Sequence, residues 1–288
     1  MIWRAISTGT GCVGSDRRAS WRAPLSAHAK DIWTSREWEL REKLRADTSG
    51  AAFGATCTAF GAAHLNDLST DTPVDLVYHG LDLSRFPEPP DRVPRKADDP
   101  FALLSVGRLV EKKGFDRLID ALALLPDHVD WHFTHIGGGA LNSEMRARAE
   151  RHGIANRITW RGACDQPEVI AAMRSADLFV LPSRIAADGD RDGLPNVLME
   201  AASQRLPILS TPVSAIPEFI DDGVHGILSD DAPAVLAEHM TRLAREPALG
   251  PTLAQAAHAR LHAEFKMQPG IDHLAQRLRA MMDAGTGA

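Results

Sequence analysis

From Phe101 to the C-terminus, short apolar runs alternate with stretches whose apolar residues recur every three or four positions. Phe101–Val106, Trp131–Ile136, Arg157–Trp160, Leu178–Leu181, Pro207–Ser210 and Gly226–Ser229 read as strands. Between them, Phe115–Leu125 puts Leu118, Ile119, Leu122 and Leu125 on one helical face, Asn142–His152 is a polar helix, and Pro167–Ser175 reads as another. A helix starts at Pro195, where a first-turn proline gives up no needed N–H, and three more follow from Ala232. This alternation predicts an α/β fold, with a parallel sheet covered by helices on both faces. Ligands in such sheets sit at the carboxyl ends of the strands.

The pattern upstream is shorter. Leu25–Ala27, Ala51–Thr56 and Val74–Tyr78 read as strands, with one helix from Ser35 through Leu44 and another ending at Leu68. Phe86–Pro100 holds five prolines among charged residues and reads as a linker. The expected organisation is a leader at residues 1–23, a partial lobe and linker at 24–96, a second lobe at 97–265 and a C-terminal helix at 266–288.

Composition narrows the function classes. With 288 residues, 44% of them hydrophobic, the chain can build one or two domains with cores of their own. Its three cysteines (Cys12, Cys57, Cys164) are scattered, which argues against a disulfide framework or a structural zinc site and suits a reducing cytoplasm. The formal net charge of −6 gives no global attraction for nucleic acid. No apolar run approaches the roughly 18–20 residues a membrane span needs. A cytoplasmic protein is expected, with binding at the inner face of the membrane as a further option. The first 22 residues are basic and lack the apolar core of a secretory signal. They hold Gly9-x-Gly11-x-x-Gly14, a nominal dinucleotide fingerprint, but the residues after it have poor helical periodicity and meet Pro24.

Polar groups gather at three strand ends of the second lobe. After Val106 comes Gly107-Arg108-Leu109-Val110-Glu111-Lys112-Lys113-Gly114. The glycines let the backbone approach a ligand, and Arg108 with Lys113 supplies two positive charges suited to a diphosphate. An ordinary solvated loop has the same residue types. Gly137-Gly138-Gly139 admits a ligand to the backbone, or only makes a tight turn. The loop from Arg184 to Gly193 leads into a helix N-terminus, a natural anion site. Asp192 stands just before that terminus and Glu200 lies within the helix. Asp188, Asp190 and Asp192 imitate the opening of a calcium loop. Its twelfth position is Met199, and the segment before it reads as strand rather than helix, so no metal is expected there.

These segments, in this order, resemble the retaining glycosyltransferases of family 4, which have the GT-B fold. The resemblance is carried by VGRLVEKKGFDRLIDAL (Val106 to Leu122), IGGG (Ile136 to Gly139), ITWRG (Ile158 to Gly162) and ADLFVLPS (Ala176 to Ser183). DGLPNVLMEAAS (Asp192 to Ser203), TPVSAIPEFIDDGVHGIL (Thr211 to Leu228) and VYHGLDLSRF (Val77 to Phe86) complete it. AHAKDIWTS (Ala27 to Ser35) is similar to the groups that make exopolysaccharides of the colanic-acid type. The resemblance implies two Rossmann-like lobes and transfer of a sugar from a nucleotide sugar to a glycan or lipid-linked acceptor, with retained configuration and no metal or other cofactor.

Residue by residue, it implies that Arg108 and Lys113 hold the donor diphosphate, with Gly107 and Gly138 at the donor. Glu200 would hold the ribose, and Asp192 would face the donor sugar. Gly193 and Leu194, with Pro195, would line the sugar and phosphates with backbone. His28 would reach the reacting sugar from the first lobe. Asp192 replaces the family's usual glutamate, one methylene longer, and Ser214-Ala215 stand where many members have two glycines. With ribose and diphosphate held by other groups, substitution of Asp192 is expected to leave nucleotide affinity alone.

Residues 24–96 supply about half of a Rossmann-like lobe, so the chain is expected to lack N-terminal strands. The leading expectation is an active glycosyltransferase, and its rival is a catalytically silent donor-binding remnant. An epimerase or phosphorylase of the same fold fits less well: the first calls for more acid and base groups, the second for a cofactor lysine that the sequence does not mark.

Overall fold

The computed structural model describes residues 25–27, 32–33, 35–44, 53–69, 72–92 and 99–286. The described residues divide into two compact units, one comprising the chain up to His79 together with the segment from Met267, the other Gly80–Lys266. The glycine motif at 9–14 and His28 lie outside the described residues.

The first unit has three parallel strands, β1 (Leu25–Ala27), β2 (Gly54–Thr56) and β3 (Val74–Leu76), paired in the order β1-β2-β3. Helix α1 (Glu37–Leu44) precedes β2 and α2 (Ala59–Leu68) follows it. The Thr58 hydroxyl caps α2 by accepting from the Gly61 N–H at 3.0 Å. Ile32, Leu40, Leu44, Leu65, Leu68 and Val74 form one core cluster.

The second unit is a six-stranded parallel sheet. In chain order its strands are β4 (Phe101–Val106), β5 (Trp131–Ile136), β6 (Ile158–Gly162), β7 (Leu178–Leu181), β8 (Ile208–Ser210) and β9 (Ile227–Leu228). In space the order is β6-β5-β4-β7-β8-β9. Every residue of β7 is buried, as its unbroken apolar sequence requires of a strand covered on both faces. The intervening helices are α3 (Phe115–Leu122), α4 (Asn142–Arg151), α5 (Gln166–Ser175), α6 (Asn196–Ser203) and the short α7 (Ile216–Phe219), with α8 (Pro233–Arg245) and α9 (Leu249–Glu264) after β9. Helix α3 packs on α4 and α8, and α6 packs on α9. Helix α5 starts with a full capping box, Asp165 and Glu168 each accepting from the other's backbone N–H.

Two features depart from the expected segmentation. The final helix, α10 (Met267–Thr286), belongs with the first unit: Leu274 and Met281 pack against Phe53, Ala55 and Val77, and Asp75 binds Arg277 at 2.8 Å and His273 at 3.1 Å. Most of its other apolar side chains are exposed, so amphipathicity along the helix did not mark this partner.

Residues 80–92, half of them read as linker, are bound to the second unit. Arg92 donates to the carbonyls of Met173 at 2.7 Å, Ala176 at 2.5 Å and Gln204 at 3.1 Å, the ends of α5 and α6 where backbone acceptors lack helical partners. Gln204 donates back to the Pro87 carbonyl at 3.2 Å. Residues 80–92 are a strap closed by the half-buried Arg92 guanidinium, and burial lowers the Arg92 pKa to about 10 against the raising pull of Asp177. Arg92→Ala is expected to strand those carbonyls and destabilise this unit by about 2–4 kcal/mol in denaturant unfolding. An unchanged midpoint would show that the strap contributes nothing to the fold.

Candidate functional site

Strand order fixes where a ligand meets this sheet. The chain leaves β4 for β5 on one side, while β7 lies on its other side, so the connections diverge between β4 and β7. Two helices that leave in opposite directions open a crevice at the strand ends there. The loops that border it are Gly107–Gly114 after β4 and Ser183–Pro195 after β7.

Backbone packing sets the first loop. Gly114 has φ +65°, and a Cβ there would lie 1.9 Å from the Pro182 carbonyl oxygen. Gly137, at φ +137°, is held as tightly: a Cβ there would lie 2.0 Å from the Gly107 carbonyl oxygen. The loop is therefore pinned from both neighbouring strands by contacts that only glycine permits. Within the glycine triplet the steric need falls on Gly137 and Gly139, which packs against Leu109. Gly138 faces open space, and a Cβ on Gly107 would make only ordinary contacts. Beneath this loop lies His135, 1% exposed, edge-on to Phe115 with ring centroids 4.6 Å apart. Burial pushes its pKa down to about 4 against the raising pull of the Gly107 carbonyl, so the ring is neutral at ordinary pH.

The two cations expected to meet a diphosphate have different surroundings. Arg108 is exposed, and its guanidinium has no hydrogen-bond or ion-pair partner among the described residues. Lys113 is engaged: its ammonium lies 2.8 Å from Asp192 Oδ2. Asp192 also accepts from the Ser183 hydroxyl at 3.1 Å and lies 3.6 Å from Lys112. Lys112 binds Asp190 at 3.1 Å, and Asp188 accepts from the Asp190 N–H. Two of the three calcium-like aspartates are thus bound by lysines, and among the described residues no three His, Cys, Asp or Glu side chains converge at metal-binding spacing. Sequence reasoning treated Asp192 as independent of the diphosphate cations. The structure joins it to one of them, because the Ser183–Pro195 loop folds back onto the turn at Glu111–Lys113, where Arg184 N–H donates to the Lys112 carbonyl at 2.8 Å.

Glu200 sits in α6, one turn beyond its first residue. Its carboxylate has no hydrogen-bond or ion-pair partner among the described residues, and burial raises its pKa while the charge of Arg85 lowers it in part. Arg85 donates to Gln166 at 2.6 Å. Pro195 caps α6 with extended backbone, so the helix begins one residue later than the sequence suggested. The Leu194 side chain is buried in the core, 5% exposed, which leaves its backbone as the part able to meet a ligand. Lys112, Ser183 and Arg85 were missed in the sequence. The Lys-Lys doublet and a serine closing an apolar strand were the available signals for the first two, and none marked Arg85.

A reversal of strand order, with cations on the loop after β4 and a largely desolvated carboxylate on the helix after β7, is chemically suited to an anionic ligand that also carries hydroxyl groups. The chain belongs to the glycosyl transferases group 1 family, whose model matches residues 89–260. It is 34% identical over 184 residues to the amylovoran biosynthesis glycosyltransferase AmsK of Erwinia amylovora, covering 63% of this chain and 45% of that protein. It is 32% identical over 207 residues to the putative colanic acid biosynthesis glycosyltransferase WcaL of Escherichia coli K12, covering 70% and 50%. The chain spans about half the length of these curated relatives. Its α/β architecture with parallel sheets is that of the GT-B glycosyltransferases. The crystal structure of Anabaena Alr3699/HepE in complex with UDP superposes with a TM-score of 0.73 at 20% identity, over 90% of this chain and 72% of that one. Among the described residues no helix is long and apolar enough to cross a membrane.

The raised pKa of Glu200 gives a signed expectation. A carboxyl that holds its proton more tightly folded than unfolded costs stability above its folded pKa, and the cost disappears as pH falls below the ordinary glutamate value. Glu200→Gln is expected to raise the melting temperature at pH 7, with the gain shrinking as the pH is lowered through the carboxylate range. Thermal melts of both proteins across that range check this. A melting temperature lowered at pH 7 would mean that the carboxylate has a stabilising partner.

Proposed function

We propose that this chain carries the donor site of a retaining, family 4 glycosyltransferase that takes a sugar from a nucleotide diphosphate sugar. The sugar passes to a glycan or lipid-linked acceptor, in exopolysaccharide synthesis of the kind that the names of AmsK and WcaL suggest by analogy. The reading is supported by the placement of Arg108 and Lys113 on the loop after β4 and of Glu200 on the helix after β7, the two strands between which the connections diverge. Arg108 and Lys113 bind the diphosphate, whose charge grows as the glycosyl bond breaks, and the two cations favour that state over the bound substrate. Glu200 accepts from the ribose hydroxyls, which replaces the hydration its carboxylate has lost. Gly193 and Leu194 present backbone to the sugar, and Asp192 stands beside it. Gly107 and Gly138 leave room for the donor at the backbone of their loops.

The reaction proceeds without a metal. The acceptor hydroxyl attacks the face from which the diphosphate departs, and a diphosphate oxygen takes its proton, so no protein nucleophile is needed. His28 meets the reacting sugar in this scheme. The protein acts in the cytoplasm, with binding at the inner face of the membrane as a further option if the acceptor is lipid-linked.

The test has two stages. Titration calorimetry with UDP, GDP and ADP measures the donor site, and release of free sugar from a panel of nucleotide sugars measures turnover. Arg108→Ala and Lys113→Ala are each expected to weaken diphosphate binding by about 1–3 kcal/mol. Arg108→Ala is expected to leave the melting temperature unchanged, since that guanidinium is exposed and has no hydrogen-bond or ion-pair partner among the described residues. Equal affinity in the wild type and both variants would remove the site. Binding without turnover on any donor would leave a donor-binding remnant in place of an enzyme.

A further inference from the structure

We infer that Lys112 is a positioning residue for Asp192, holding that carboxylate in place when a donor diphosphate takes over Lys113. The inference rests on the donor site proposed above.

Asp192 is divided between two ammonium groups. Its Oδ2 lies 2.8 Å from Lys113 and accepts from the Ser183 hydroxyl, and its Oδ1 lies 3.6 Å from Lys112. The side chains of Lys112, Lys113 and Asp192 are 13–14% exposed, so solvent screens these charges less than on an open surface. A diphosphate bound by Lys113 brings several negative charges to the same ammonium. Asp192 then loses its shortest ion pair and gains a like-charged neighbour.

Two groups can keep Asp192 from being expelled, the Ser183 hydroxyl and the Lys112 ammonium. Only Lys112 carries charge. It is fixed independently by Asp190 at 3.1 Å and by the backbone turn at Glu111–Lys113, onto which the Arg184 N–H closes. Because Asp192 directly precedes Gly193 and Leu194, holding its side chain also holds the backbone that leads into α6. The consecutive lysines thus divide the work: Lys113 meets the ligand, and Lys112 cancels the repulsion between the ligand and the loop acid.

The division is measurable as a coupling. Wild type, Lys112→Met, Asp192→Asn and the double variant are titrated with UDP, GDP, ADP and inorganic pyrophosphate, the last probing the diphosphate without a base. Melting temperatures are recorded in parallel. Asp192→Asn removes the competitor for Lys113 and is expected to tighten diphosphate binding. Lys112→Met leaves Asp192 facing the phosphates uncompensated and is expected to weaken binding about three- to tenfold, the range of a partly buried charge pair. In the Asp192→Asn background, the same Lys112 substitution is expected to change affinity less than about twofold, because there is no repulsion left to cancel. Lys112→Arg is expected to bind like the wild type.

A Lys112→Met effect of equal size in both backgrounds would overturn the inference and make Lys112 a direct phosphate ligand. Asp192→Asn weakening the binding of every diphosphate would overturn it as well, and this arm stands even if Lys112→Met fails to fold. A folded wild type that binds none of the four probes would fail earlier, taking the donor site itself and this inference with it.

Discussion

The close approach of backbone to backbone at the end of β4 is the constraint on which the site depends. Gly114 lies against the Pro182 carbonyl and Gly137 against the Gly107 carbonyl, each nearer than any side chain would allow. These contacts bring the ends of β5, β4 and β7 into one layer and set the height of the Gly107–Gly114 loop above the sheet. Every polar group of the donor site is placed relative to that loop. A methyl group at either position would displace carbonyl-bearing backbone rather than a movable side chain, so the cost would spread to the whole crevice.

Charge within the crevice is partly neutralised by the protein itself. Lys113 and Lys112 are bound by Asp192 and Asp190, while Arg108 is exposed and unpaired among the described residues. The lysines are therefore fixed in position with some of their field cancelled, and Arg108 keeps its field but not a fixed position. A diphosphate needs both properties. Glu200 is the opposite case, a largely desolvated carboxylate with no hydrogen-bond or ion-pair partner among the described residues, only the more remote charge of Arg85. Buried acids of this kind are retained where a ligand supplies the missing donors, at some cost to the stability of the free protein.

The two units are held by different means. The donor unit is a sheet covered on both faces and tied at its margin by Arg92. The first unit has three short strands, and a helix from the far end of the sequence completes its packing through Leu274 and Met281. Contact between residues 53–77 and residues 267–281 joins positions remote in the chain. The first unit therefore builds one core cluster from its own stretch of sequence and completes the other, around Phe53, Ala55 and Val77, with the C-terminal helix.

Much of this was legible in the sequence, for a physical reason. The central strands β4 and β7 of the second unit carry mostly or wholly apolar runs, because both faces of the sheet are covered there, and glycine or proline follows each of them. Local composition alone therefore located β4 to β9 to within a few residues, along with the order of loops that border the crevice. Arg108 and Lys113 could be named from their charge and their place after β4, while the roles of Asp192 and Glu200 came from the family resemblance. Three things depended on the tertiary structure, since each joins residues with no pattern in common. Arg92 binds three carbonyls 81 to 112 positions away, α10 packs with the first unit, and the Ser183–Pro195 loop folds back so that Asp192 reaches Lys113. Charge type can be read from a sequence. Which charge an acid neutralises is decided by where the loops fold, and here that decision pairs Asp192 with Lys113, two residues on loops that follow different strands.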